Sequence, residues 1–358
     1  MNLTLISLCC ALLATGEPAP VKAPLAPVKT PSAGSRAAGA ALSLVPGVLV
    51  PGGGHWMIGD RAGARKMLLL KGAGLALFAV GFAPILYTNA ADQVMHAAYP
   101  VTVGGFGLFA LSTLMDLTGA VFSGQPPGAP ARGAPAFELA SRWMHVSDPQ
   151  FGYDHFWNPG VVARFHHLRA TGDFFHAPAD GNTRVRGALA WRFLGPRPGG
   201  PNAPDGSFLE LSVAVSRHAF VPEGFTVLTP EVLVLGRLDL ARIHPSLSGA
   251  FAELGVGWGV ERTRFDGVDA KPDLAQNLLV ELAYGLYLGR PAEEAAGRGG
   301  EVKIYYNHRH DDWAGGLQGV LGFFGVGGRY FFSRNWGLEA TAERGSATRV
   351  TLGAVFRY

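Results

Sequence analysis

The chain has 358 residues, of which 16% are charged and 50 are glycine. An average soluble domain contains about 25% charged residues and about 7% glycine, so this chain is poor in charge and rich in glycine. Together with a mean hydropathy of +0.18, this composition suits a β-structured membrane protein better than a cytosolic enzyme. The net charge is only +3, without a basic run, which argues against nucleic acid as a partner.

The N-terminal region predicts export followed by a tether. Residues 1–16 contain an apolar run that ends in small residues, which indicates a secretory signal peptide. Cys9 and Cys10 are the two cysteines of the chain and both lie in this run. The rest of the chain therefore has no cysteine for a disulfide or a metal site. Residues 17–35 are rich in Pro, Ala and Lys, which predicts an extended tether.

Residues 36–123 form a glycine-rich hydrophobic block that predicts a helical hairpin. Residues 72–91 and 97–115 carry no charge. Each segment is about long enough to cross ~30 Å of hydrocarbon as a helix. Basic residues precede the first segment and favour a cytoplasmic location for that end. A buried hairpin that does not cross a membrane is the alternative. Residues 124–135, rich in Pro and Gly, predict a linker.

A glycine-rich turn opens this block. Its sequence, PGGGHWMIG, resembles the turn that opens two-helix membrane domains related to the TM2 family. The matching positions are Pro51, Gly52, Gly54, Trp56 and Gly59. The resemblance covers residues 45–120 and implies a membrane hairpin, a class of domain without an agreed chemistry. A phosphate-binding loop is a poor alternative, since no Gly-Lys-Ser/Thr follows and no strand precedes, and we expect no cofactor.

From residue 161 to the C-terminus, apolar residues alternate with small or polar ones. Leu211 and Val213, for example, alternate with Glu210 and Ser212. This period predicts a mainly β fold, an antiparallel up-and-down transmembrane β-barrel with apolar side chains toward lipid. A soluble sandwich or a lipocalin-like barrel, with the apolar face inside, is the alternative. Glycine on the second face favours the membrane barrel, because a solvated strand face usually carries long charged side chains.

We expect ten strands, with eight as the alternative because two of the ten alternate poorly. An even number places both ends of the barrel chain on the periplasmic side. Residues 136–160 are assigned to a pre-barrel segment, and residues 263–277 and 310–320 to outward loops. The expected strands are 161–170, 183–194, 208–217, 231–241, 250–263, 278–289, 301–309, 323–332, 336–344 and 349–358.

The last strand ends on an aromatic residue. It resembles the C-terminal signal by which the outer-membrane assembly machinery recognises barrels. The residues that carry the resemblance share one face and are Val350, Leu352, Ala354, Phe356 and Tyr358. Val355 is the one apolar residue on the opposite face. The resemblance implies the assembly machinery and membrane lipid as partners.

The densest polar cluster lies at the end of the strand 301–309. His308 and His310 share a face of an extended strand, and with Asp311 or Asp312 they are candidate metal ligands or a catalytic base with its orienting group. The run has a faint similarity to lipid A 3-O-deacylase barrels but lacks their serine, so the serine mechanism does not transfer. We favour an interfacial rim that meets lipopolysaccharide phosphates.

Two further polar groups stand at or near the start of the barrel. Tyr153, Asp154 and His155, with His166 and His167, predict a structural or rim role rather than a metal site. The other group is an expected inward ion-pair network, which argues against an open pore. Its members are Arg184, Arg186 and Arg192 with Glu210, Glu253 and Glu281.

Three functions follow from these features. The first is an outer-membrane barrel of a Gram-negative bacterium with a structural, adaptor or surface-interaction role and no enzyme activity. The second is an envelope-lipid hydrolase that uses the cluster from His308 to Asp312. The third is an inner-membrane anchored protein with a periplasmic β domain, because two membrane helices should be retained in the inner membrane. The sequence names no protein partner.

Overall fold

The computed structural model describes residues 31–45, 47, 52–89, 91–123, 128, 135–148, 155–198, 205–267, 273–289, 297–309, 322–345 and 347–358. The chain forms two compact units, a helical unit of residues 1–127 with 240–250 and a barrel unit of residues 128–239 with 251–358. The predicted signal peptide, the tether up to residue 30, Pro51 and residues 310–312 lie outside the described residues.

The helical unit contains the predicted hairpin. Its helices are α1 (Ala33–Leu44), α2 (Gly53–Met57), α3 (Arg61–Tyr87) and α4 (Asp92–Phe122), with the 3-10 helices η1 (Leu240–Arg242) and η2 (Pro245–Leu247). Helix α1 begins within the segment that we expected to be an extended tether, because the Ser32 hydroxyl caps its first turn by accepting from Ser35 N. Asp60 caps α3 in the same way, at 2.9 Å from Gly63 N.

Glycines bring α3 and α4 into close contact. A Cβ on Gly74 would lie 2.6 Å from the backbone nitrogen of Phe109, and one on Gly105 would lie 2.2 Å from that of Phe78. Such close backbone approach is the usual reason for small residues between membrane helices. Helix α3 and residues 97–122 of α4 are long and apolar enough to cross a membrane.

The barrel unit is a closed antiparallel barrel of twelve strands. Each strand pairs with its neighbours in sequence, and β1 closes the barrel against β12. The strands are β1 (Phe137–Ser147), β2 (His155–Phe165), β3 (Leu168–His176), β4 (Thr183–Leu194), β5 (Phe208–Phe220), β6 (Phe225–Asp239), β7 (Ala250–Phe265), β8 (Asp273–Leu288), β9 (Gly299–His308), β10 (Phe323–Phe331), β11 (Trp336–Arg344) and β12 (Thr348–Arg357).

The expected counts of ten and eight strands are wrong at the start of the barrel. Strand β1 lies in the segment that we assigned ahead of the barrel, and the expected strand 161–170 runs across the turn between β2 and β3. The period is weak there because β1 has apolar side chains on both faces, for example Met144 inside and Trp143 outside. Pro159 and Gly160 further obscure the pattern of β2. The expected loop 263–277 also overlaps the ends of β7 and β8.

The apolar face of the barrel points outward. On β12, Leu352 is 61% exposed, whereas Val355 on the opposite face is 1% exposed. On β5, Val213 and Val215 are exposed and Glu210 is buried. This orientation is opposite to that of a soluble sandwich or a lipocalin-like barrel, and it rules out a periplasmic β domain. A closed barrel with an apolar exterior and a charged interior spans the outer membrane of a Gram-negative bacterium.

Candidate functional site: the barrel lumen

The inward glycines of the barrel make room for large side chains. A Cβ on Gly285 would lie 2.2 Å from the ring of Phe251, and one on Gly325 would lie 2.4 Å from the ring of Tyr305. A Cβ on Gly160 would similarly lie 2.6 Å from the guanidinium of Arg142. The glycine-rich inner face therefore accommodates aromatic and cationic side chains that fill a narrow interior.

A chain of six charged residues extends through the lumen from β3 to β10, and three of its five ion pairs join strands that are not neighbours. In β10, Arg329 donates to Glu138 of β1 over 3.1 Å and lies 3.4 Å from Glu339 of β11. In β1, Arg142 pairs with the same Glu339. The complete order is Asp173–Arg142–Glu339–Arg329–Glu138–Arg164. Alternating signs leave each charge between opposite charges, which offsets the cost of removing it from water.

A second group ties β6 to β9 across two intervening strands. Arg237 of β6 donates to Glu301 of β9 over 2.6 Å and to Glu253 of β7 over 2.6 Å. Lys303 donates to the same Glu253 over 2.7 Å. The Arg237 guanidinium also lies 4.0 Å from the centre of the Phe251 ring, which adds a cation–π contact. These contacts hold the side chains in the middle of the lumen.

A third group contains members of the predicted inward network and adds others to it. Arg192 pairs with Glu210 at 2.9 Å. Arg186 pairs with Glu231 at 2.8 Å, and Arg309 lies 3.3 Å from the same carboxylate. Glu231 was not among the predicted members. Its inward position was readable from the alternation of β6, but its partner depends on which strands face each other across the lumen.

The end of the lumen next to the β1–β2, β3–β4, β5–β6 and β11–β12 hairpins is apolar. Eight inward residues form one buried cluster there. They are Met144, Val146, Phe156, Ala177, Phe220, Phe225, Val227 and Ala347. The rings of Phe220 and Phe225 stack with their centres 4.3 Å apart. This apolar plug, against which the buried ring of His218 stacks on Phe220, adds to the ion pairs as an obstacle to water and ions.

A cavity of about 320 Å³ remains inside the barrel. Its lining combines the carboxylates Glu253, Glu281, Glu301 and Glu339 with the cations Lys303 and Arg329. Tyr305 also faces the cavity and donates to Glu343 over 2.6 Å. The cavity is therefore polar, and its lining groups are bonded to one another, which suits water better than an apolar ligand.

The predicted cluster around His308 is only partly described. His308 ends β9 and is buried, and its Nδ1 lies 2.9 Å from the Tyr306 hydroxyl. That hydroxyl also accepts from Gly322 N over 3.3 Å. His310, Asp311 and Asp312 lie outside the described residues, so a metal or catalytic site at this cluster stays a prediction.

The second predicted histidine cluster is not brought together. His155 begins β2, and His166 and His167 follow its last residue, so His155 is separated from the other two by the length of that strand. The ring of His155 lies 5.0 Å from that of His145. The ring of His167 stacks on Trp191, and its Nδ1 lies 2.7 Å from the carbonyl oxygen of Arg192. These contacts agree with the structural role that we expected. Tyr153 and Asp154 lie outside the described residues.

The glycine-rich turn before α3 has the geometry that only glycine supplies. Gly52 and Gly59 have φ of 84° and 83°, which L residues with a side chain rarely adopt. A Cβ on Gly54 would lie 2.0 Å from Ser43 Oγ. Trp56 is exposed. Three of the matched positions, Gly52, Gly54 and Gly59, therefore lie in a tight turn that needs glycine.

No protein-family model and no curated protein matches the chain. Similar solved structures include an outer membrane channel from Pseudomonas putida F1, with 12% identity, a TM-score of 0.40 and coverage of 66% of this chain and 98% of that chain. For the Acinetobacter baumannii outer membrane protein Omp33, the corresponding values are 10%, 0.32, 64% and 99%. For the β domain of the Bordetella autotransporter BrkA they are 13%, 0.34, 64% and 100%.

Proposed function

We propose that the protein is an integral outer-membrane barrel with a closed lumen, which serves as a membrane-embedded scaffold in a structural, adaptor or surface-interaction role. One observation carries this proposal. Ion pairs join strands that lie three positions apart around the barrel, as Arg237 of β6 joins Glu301 of β9 and Arg329 of β10 joins Glu138 of β1. These side chains project into the interior and occupy part of the path that a diffusing solute would need.

The apolar plug supports the same proposal independently. Phe156 and Val146 are fully buried near one mouth of the barrel. An ion that passed them would lose its water without gaining a partner, which costs several kcal/mol or more. The lumen thus contains two obstacles of different chemistry. One is formed by the ion pairs, and the other is the apolar plug at the end next to the β1–β2 hairpin.

The envelope-lipid hydrolase is not the function that we propose. The described member of its cluster, His308, is buried beside the Tyr306 hydroxyl. The described contacts at this position are those of a packed strand end.

We also propose that the terminal strand is read by the outer-membrane assembly machinery. Its alternate apolar residues face lipid, and Leu352 pairs with Trp143 of β1 across the closing seam of the barrel. A side chain in this position is accessible before the barrel closes and buried against lipid afterwards. Membrane lipid and, at the outer rim, lipopolysaccharide are the further proposed partners. By the same reasoning, α3 and α4 are proposed as a membrane hairpin.

Ion conductance across planar lipid bilayers tests the closed lumen. The full-length protein is expected to insert without a sustained open-channel current. The variant Arg142→Ser/Arg329→Ser removes the two cations that link β1, β10 and β11. It is expected to raise the frequency and size of open events, because the lumen loses its largest crossing side chains.

The matched control is Arg217→Ser, which removes an exposed cation on the outward face of β5. It should behave as the unmodified protein. Heat-modifiable gel migration shows whether each variant is a folded barrel. A steady current through the unmodified protein, equal to that of the double variant, contradicts the proposal and identifies an open pore.

A further inference from the structure

A buried histidine lies at one end of the helical unit. His55 of α2 is fully buried, and its Nδ1 lies 2.7 Å from the Asp116 carboxylate of α4. The same carboxylate accepts from the backbone nitrogens of Gly54 and His55, each over 3.0 Å. A carboxylate accepts hydrogen bonds, so the proton of the neutral imidazole belongs on Nδ1. The Nε2 of His55 then carries the lone pair, and the Ser246 hydroxyl lies 2.9 Å from it.

Two glycines leave the space that this imidazole occupies. A Cβ on Gly63 would lie 2.4 Å from Cδ2 of His55, and one on Gly119 would lie 2.3 Å from its Nε2. Either side chain would displace the ring. The position and the tautomer of His55 are therefore both determined by its surroundings, as expected of a preorganised ligand.

Two further metal-binding side chains converge on His55. His244 lies in the segment 240–250, which belongs to the helical unit, and its Nδ1 lies 3.4 Å from Asp60 Oδ2. One donor atom from each of His55, Asp60 and His244 falls within 4.8 Å of the other two. The Ser246 hydroxyl lies 2.9 Å from His55 Nε2 and 2.7 Å from His244 Nδ1.

Asp60 is already held in place, since one carboxylate oxygen, Oδ1, caps α3 through Gly63 N. Its other oxygen, Oδ2, is the one that lies near His244 Nδ1.

We propose that His55, Asp60 and His244 form a binding site for a divalent transition-metal ion such as Zn²⁺. Two imidazoles and one carboxylate are a donor set that Zn²⁺ accepts. Ligand atoms about 2.0 Å from a tetrahedral ion lie about 3.3 Å from one another, close to the observed separation of His244 and Asp60. Asp116 supplies the outer carboxylate that orients a metal-binding histidine, and Ser246 or water completes the coordination.

A serine nucleophile is the competing interpretation of the same residues. Ser246, His55 and Asp116 lie in the order hydroxyl, imidazole, carboxylate, with distances of 2.9 and 2.7 Å. That interpretation leaves His244 and Asp60 without a role. It also gives no role to the contact between the His244 imidazole and the Ser246 hydroxyl, which are 2.7 Å apart. The metal site uses all of these groups, so the geometry favours it.

Zinc retention by the full-length protein in detergent tests the proposal. The protein is loaded with Zn²⁺, exchanged into metal-free buffer and assayed for zinc per chain by mass spectrometry. We expect one retained ion. His244→Gln and Asp60→Asn are expected to bind at least tenfold more weakly, and Asn at position 60 keeps an oxygen for the helix cap. With Co²⁺ as the probe, the unmodified protein should show the intense visible absorption of tetrahedral coordination.

His218→Gln is the matched control, because it removes a buried histidine of the barrel unit that belongs to no predicted metal cluster and leaves the proposed site intact. It should retain zinc as the unmodified protein does. Zinc retention that is insensitive to His244→Gln, or that is lost in His218→Gln, overturns the proposal. So does covalent labelling of Ser246 by a fluorophosphonate in protein that retains no zinc, an outcome that would identify a serine nucleophile instead.

Discussion

The helical unit and the barrel both bury carboxylates, but they satisfy them with different partners. Asp116 is 1% exposed and is bonded by the backbone nitrogens of Gly54 and His55 in addition to the His55 ring. Glu253 is 8% exposed in the barrel and is bonded by the side chains of Arg237 and Lys303.

The difference follows from where free backbone donors exist. The first turn of a helix has N–H groups without a partner inside the helix, so α2 can offer two of them to Asp116. The strands of a closed barrel use their N–H groups in the ladders on both sides. An inward carboxylate on a strand must therefore find a cation, and this requirement explains why the lumen contains networks of charges.

The helical unit relies on one buried acceptor, Asp116. Its stability should therefore be more sensitive to the loss of that carboxylate than the stability of the barrel is to the loss of one of its carboxylates. Asp116→Ala leaves the backbone nitrogens of Gly54 and His55 unpaired in the interior, together with the ring of His55. We expect a destabilisation of the helical unit of about 3–5 kcal/mol. Thermal unfolding of the full-length protein, followed by helical circular dichroism, measures it.

Ser43→Ala is the control for this comparison. The Ser43 hydroxyl lies 3.1 Å from the Asp116 carboxylate but also 3.0 Å from the carbonyl oxygen of Gly39. Its loss should cost only about 1 kcal/mol. Equal shifts in the unfolding temperature for the two variants would mean that Asp116 is not the central acceptor of the helical unit.

The glycines of the barrel interior should show an intermediate effect. In Gly285→Ala the new Cβ would lie 2.2 Å from the ring of Phe251, which is confined between Arg237 and Tyr287. Overpacking of this kind costs about 1–3 kcal/mol. The temperature at which the folded band is lost on unheated gels should therefore fall. Gly187→Ala is the matched control, because its new Cβ would meet nothing within 4 Å. It should leave that temperature unchanged or raise it.

The smallest effect on stability is expected at Tyr358, the last residue, because its proposed role is in assembly and not in packing. Tyr358 is 82% exposed, and its hydrogen bonds to Phe137 involve the backbone only. Tyr358→Ala should change the stability of the folded barrel by no more than about 0.5 kcal/mol. If the terminal strand is an assembly signal, the amount of folded protein in the outer membrane should nevertheless fall. An unchanged amount, at equal expression, would remove Tyr358 from the proposed signal.

Side-chain direction was the part of the fold that could be predicted. The alternation in β12 placed Leu352 outward and Val355 inward, and both positions agree with the structure. The expected strands 323–332 and 336–344 correspond closely to β10 and β11, which are joined by a short turn that includes Ser333, Arg334 and Asn335. Two helices were expected from uncharged segments of suitable length, and α3 and α4 contain them.

The predicted number of strands was wrong because the alternation of apolar and polar residues is obscured in the first strands. Met144 and Val146 are apolar residues on the inward face of β1, since they belong to the plug. From the sequence alone, these inward apolar residues cannot be distinguished from apolar residues that face lipid. Pro159 interrupts β2, and the β2–β3 ladder skips Asn158 and Pro159. Alternation of apolar and polar residues identifies a strand that has one apolar face. A strand with apolar residues on both faces lacks this alternation and is therefore missed.

The sequence by itself determined which side chains face lipid, which face inward, and where two apolar helices form, because these properties depend on the repeat of a single element. Only the tertiary structure decided that there are twelve strands, that Arg237 meets Glu301, and that the segment 240–250 brings His244 to His55. These pairings join residues that are between 64 and 189 positions apart. Their partners depend on closure and packing of whole elements, which no local pattern encodes.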